Sequence, residues 1–309
     1  MSDITHPLPF GGMAPSEYRL SAWWVLPISA IAWWICGFLP WLAQVSYRVT
    51  GLITPSGGGV GGFLPLPFTV DDAIVRLVVM ALIGGLFAGV ASRLSSSAGA
   101  GAAAAIAGTL LGIVTTGGAS WWLVIRQTVP DDGRPLGMLV VTGIAGLVGL
   151  AAGLLAALGP TVSRGVALAL PVVFLDGWFC GLVPGGSVSP PGTWWIFAIA
   201  LGVALGLAVD GRPVQLMGWL PTAGAVWVLQ GSREALLAVQ ENLWPGSELT
   251  ENPWSAVGLV WNEIASAAIV TEGHQLGAWV VALLLGGTLA ALRLSREAAD
   301  EGERAEAWV

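Results

Sequence analysis

Residues 136–158 read LGMLVVTGIAGLVGLAAGLLAAL, without one charged side chain. As a helix this stretch is ~34 Å long, enough to cross the ~30 Å hydrocarbon core of a bilayer. A helix on the surface of a soluble protein keeps a polar face, and this one has none. Small residues recur in it every four positions, at Ala145, Gly149, Gly153 and Ala157, so they lie along one side. The stretch predicts a transmembrane helix with a small-residue stripe, where another backbone approaches closely.

Working outward, the rest of the chain repeats the pattern. Of the 309 residues 55% are hydrophobic and 10% charged, against roughly 45–50% and about 25% in soluble proteins. Counting apolar residues between charges and turn signals predicts eight spans, at 20–45, 73–91, 101–125, 136–158, 162–183, 194–209, 214–229 and 276–292. The expected fold is all-α, a polytopic transmembrane bundle built from repeated helical hairpins. This composition excludes a soluble enzyme and a disordered tail. A net charge of −7, with no lysine, leaves no basic strip for nucleic acid. Exclusive use of arginine, with much alanine and glycine, fits a GC-rich bacterial genome.

Arginine placement sets the expected threading. With the N-terminus inside, seven arginines fall in the cytoplasm and five outside; Arg93, Arg164, Arg212 and Arg293 sit in tight turns or at span ends. The chain then divides into a cytoplasmic N-terminal segment (1–19), a transmembrane domain (20–294) and a cytoplasmic tail (295–309), in a bacterial plasma membrane. Nothing before Pro15 has the basic start of a signal peptide, so the first span reads as retained.

Asn252 and Pro253 open a further helical stretch, WSAVGLVWNEIASAAIV. If it crossed, Glu263 would lie near mid-membrane at about 2.5–3.5 kcal/mol. An interfacial or re-entrant helix is therefore expected; with a second short helix from Ser232 it forms an external cap over 232–273. The Gly/Pro-rich runs at 54–68 and 184–192 read as external loops.

Hairpins closed by arginine-bearing turns recur at 92–99, 159–164 and 210–213. The stripes Ala81/Gly85/Gly89, Ala198/Gly202/Gly206 and Ala282/Gly286/Ala290 repeat the four-residue spacing. That recurrence fits tandem duplication, although 44 glycines also make such stripes cheap by composition alone.

Few residues carry chemistry. Asp176 is the one carboxylate inside a well-defined span and the leading candidate binding residue, with Trp178 beside it and Pro171 five positions earlier. Its bland alternatives are snorkelling to the interface or pairing with Arg126. Asp71–Asp72 and Asp131–Asp132 read first as surface acids at helix starts and turns. His6, His274, Cys36 and Cys180 show no metal-ligand spacing, and no catalytic motif appears, so neither a metal, a cofactor nor a catalytic residue is expected.

Seventeen tryptophans are the unusual feature, most of them toward the outer side on this threading. An aromatic belt accounts for many. The excess, with Trp261 and Glu263 in the cap and Arg126 at a span end, marks an external platform for membrane lipid, a protein partner or a second copy.

The sequence therefore favours a non-catalytic membrane subunit or scaffold presenting a Trp-rich outer face in the bacterial envelope. The alternatives are a small-molecule transporter using Asp176, and an enzyme acting on a lipid-linked substrate at the outer face through the paired acids.

Overall fold

The computed structural model describes residues 19–49, 64–68, 73–126, 134–183, 193–209, 213–242, 252, 254–269 and 275–306. Among them are nine helices and no strand. They are α1 (Ala22–Val49), α2 (Ala73–Val90), α3 (Ala98–Ile125, with one π turn at Ile113–Gly117), α4 (Arg134–Leu158), α5 (Thr161–Cys180), α6 (Trp194–Leu207), α7 (Trp219–Glu241), α8 (Ser255–Ile269) and α9 (Leu276–Glu306). Short 3-10 turns at Ala91–Leu94 and Pro213–Gly218 close two of the connections.

Six of these helices, α1 to α5 and α9, are long and apolar enough to cross a membrane. By length and composition the chain is a multi-pass helical membrane protein. α6 has 14 residues, and α7 carries Arg233, Glu234 and Glu241, so neither meets the same standard. The sequence expectation of a span at 214–229 followed by a separate helix from Ser232 meets a different geometry. Residues 219–241 form one unbroken helix, because Gly231 alone does not stop a helix whose neighbours favour it.

The small-residue stripes form the seams of the bundle. Helix α2 runs parallel to α4, with Gly85 against Gly146 O and Leu150 N, and Gly89 2.6 Å in Cβ reach from Leu150 O. Gly149 and Gly153 answer from α4, meeting the carbonyls of Leu82 and Leu86. The pair α6 and α9 repeats this arrangement, with Gly202 against Leu285, Gly206 against Leu289 and Gly286 against Leu205. In lipid, where no hydrophobic drive brings helices together, close backbone contact supplies the van der Waals energy of association. α1 joins antiparallel to α2 through Gly37 and Gly84, and Ser29 Oγ donates to Ala88 O at 3.2 Å.

Arginine closes one end of both seams. Arg93 donates to Ala157 O (2.8 Å) and Ala156 O (3.0 Å), the last carbonyls of α4, and Arg293 donates to Val209 O (3.2 Å) beyond α6. Each guanidinium thus meets carbonyls left without helical partners at the negative end of a neighbouring helix.

Part of the Gly/Pro-rich run expected outside as a loop is packed within the bundle. Leu64, Leu66, Pro67 and Phe68 are buried. Irregular backbone is tolerated among membrane helices only where its polar groups find partners. Pro65 and Pro67 have no N–H, which removes two donors. Leu66 N–H donates to Ser120 Oγ (2.9 Å), Trp41 Nε1 to Leu64 O (2.9 Å) and Trp34 Nε1 to Pro65 O (3.3 Å). Residues 54–63 of that run, and the whole run 184–192, lie outside the described residues.

Candidate functional site

Asp176 points into the bundle. It stands one turn before the end of α5, where Pro171 has already removed one helical N–H and Gly177 follows without a side chain. Helix α7 lies parallel to α5, brought close where Gly165 faces Thr222, and the same register carries Arg233 opposite Asp176. Arg233 Nη1 lies 2.8 Å from Asp176 Oδ2, with side-chain exposures of 21% and 12%. The second carboxylate oxygen accepts the Gly177 N–H at 2.7 Å. Both oxygens are thereby engaged, and a charge that is costly to bury is neutralised by its neighbour.

The surroundings are braced from α1. Trp178 is buried, donates Nε1–H to Gly37 O (2.8 Å) and meets the Phe179 ring edge-on at 5.1 Å. Gln44 Nε2 donates to Gly181 O (2.9 Å) and Val183 O (2.7 Å), and Tyr47 Oη to Leu182 O (2.8 Å). These bonds pin the carbonyls left open at the end of α5, so the Asp176 carboxylate stands on a fixed helix end.

One turn before Arg233 on α7, the Oε1 of Gln230 is buried with no hydrogen-bond partner among the described residues. The Nε1 of Trp279 on α9 is in the same state, while its ring packs against Trp227 (5.6 Å) and Phe197 (5.9 Å).

The other candidate residues do not converge on this pair. Arg126 lies over the Trp122 ring at 4.3 Å at the end of α3; the cation facing Asp176 is Arg233 and not Arg126. The sequence places Arg233 in an external helix, because a charge after an apolar run looks like a span end. The available signal was the lack of a proline or turn between Leu229 and Ser232. Trp261 and Glu263 lie on α8, which packs antiparallel on the C-terminal half of α7. Gly231 admits that contact, with a Cβ there 2.7 Å from Ala267 Cβ and 2.9 Å from Ile264 Cα, and Trp227 Nε1 donates to Ala268 O at 3.0 Å. Trp261 is exposed, whereas Glu263 is half-buried.

Asp71, Asp72, Asp131, Asp132, His6 and His274 lie outside the described residues. Among the described residues no three His, Cys, Asp or Glu side chains gather as metal ligands. Comparison with protein families, curated proteins and solved structures gives no match.

Proposed function

We propose that the protein is a non-catalytic membrane scaffold or subunit, crossing a bacterial plasma membrane eight times and presenting a Trp-rich outer face to a lipid or protein partner. The observation that carries this reading is the surface of α8. Trp254 just before α8, and Val257 and Trp261 on it, are 81%, 60% and 69% exposed, recur at helical spacing and are left uncovered by the described residues. Aromatic residues so displayed on a helix held firmly at its back are what a docking surface requires.

The eight-crossing reading takes α6 and α7 as additional spans. Neighbouring contacts make α1, α3, α5 and α7 parallel to one another and opposed to α2, α4, α6 and α9. The arginines at the shared end, Arg93 and Arg293, support a cytoplasmic assignment for it and for both chain termini under the positive-inside bias. Residues 232–241 with α8 then form the outer cap.

The test is native mass spectrometry of the tagged full chain, extracted from its host in nanodiscs. A stoichiometric protein or lipid that stays with the wild type and is lost from Trp254→Ala/Trp261→Ala is the expected result. A wild-type chain that emerges without any companion, or a companion indifferent to both substitutions, overturns it.

The buried Asp176–Arg233 pair favours a second reading, a small-molecule transporter with Asp176 as the coupling residue. In proteoliposomes that reading requires proton flux above the empty-vesicle level, abolished by Asp176→Asn. Flux equal to that of empty vesicles removes it.

A further inference from the structure

A lateral groove of about 410 Å³ runs between α2, α5 and α6, within the usual range for small-molecule sites. Its rim on α6 is Trp195, Ile199, Val203 and Leu207, four exposed side chains at four-residue spacing. Its floor on α5 is Leu168, Val172, Leu175 and Phe179, with Pro171 beside them, and Ile83 and Phe87 of α2 form the other wall. Every lining side chain is apolar. Asp176 and Arg233 are not among them, so this site is separate from the ion pair.

Two of the three walls, α2 and α5, are helices of membrane-crossing length and hydropathy, so what surrounds the groove is hydrocarbon. Length and the indoles at one end select the occupant. From Trp195 to Leu207 the groove follows the helix axis for ~18 Å, close to the ~15 Å depth of one leaflet. Trp194 and Trp195 open the groove at one end as exposed indoles, the side chains that anchor at headgroup level.

We propose that this groove is a binding site for one acyl chain of a membrane lipid, its headgroup at the Trp194–Trp195 end and its tail running toward Leu207. The chain fills a cleft that the bundle's own side chains leave open, and the Pro171 region of α5 packs against lipid rather than protein. This site stands independently of any partner at α8.

The experiment reconstitutes the full chain in phosphatidylcholine vesicles containing a lipid with a photoactivatable diazirine on its acyl chain, followed by irradiation and peptide mass spectrometry. Adducts at Ile199, Val203 and Leu175 are expected to exceed those at the exposed Val280 and Leu284 of α9 by about tenfold, a ~1.4 kcal/mol preference. Ala200→Phe, which places a ring in the groove, brings groove labelling down to the α9 level and leaves α9 labelling unchanged. Labelling spread evenly over α6 and α9 in the wild type overturns the proposal without recourse to a variant.

Discussion

Gly149→Leu is expected to lower the stability of the detergent-solubilised protein by about 3 kcal/mol or more, at the upper end of the cost of overpacking. The reason is what the new side chain meets. At Gly149 a Cβ runs into the carbonyl, C and Cα of Leu82, all backbone of α2, and cannot be relieved by a change of rotamer. Helix α2 would have to move away from α4, opening the seam that Gly85, Gly89 and Gly153 close from both sides. The control is Gly224→Ala on α7, where a Cβ has no heavy atom within 4 Å. There the gain in helix propensity is expected to raise stability by roughly 0.5–1 kcal/mol. Thermal unfolding followed by circular dichroism separates the two, and equal tolerance of both substitutions rules out the α2–α4 seam as drawn.

The second large effect falls on the ion pair. Asp176→Leu is expected to cost about 3–5 kcal/mol, because it leaves the Arg233 guanidinium in a largely buried position without its carboxylate. Asp176→Asn keeps an acceptor oxygen for Arg233 and is expected to cost less, about 1.5–3 kcal/mol. The double change Asp176→Leu/Arg233→Leu recovers much of the loss, since apolar side chains at both positions remove the desolvation burden together. A double-mutant cycle on unfolding free energies reads the coupling directly. Coupling under ~1 kcal/mol, the level of solvent-exposed pairs, would show that the pair does not tie α5 to α7.

These two sites differ in how far they were readable beforehand. The stripe at Ala145, Gly149 and Gly153 is visible as a four-residue repeat, and its role as a packing face follows from helical geometry. Asp176 is visible as a lone carboxylate in an apolar run. Its partner was not, because Arg233 lies 57 residues away and looks like the start of an external helix. The segment at 64–68 is irregular as its composition predicts, and its burial is hidden from the sequence for a related reason. Glycine and proline mark irregular backbone, but they do not say whether its few polar groups find Trp34, Trp41 and Ser120.

What the amino-acid sequence determined by itself is the solvent and the helices. Charge-free runs of about 20 residues require a bilayer, and a bilayer requires each backbone group to be satisfied within its own helix. Both conditions act along the chain and need no knowledge of its neighbours. What the tertiary structure decided is which stripes meet, which cation faces Asp176, that 219–241 is one helix and that a groove remains beside Pro171. These depend on contacts between residues far apart in sequence. Small residues permit many pairings of similar energy, and only the three-dimensional register selects among them.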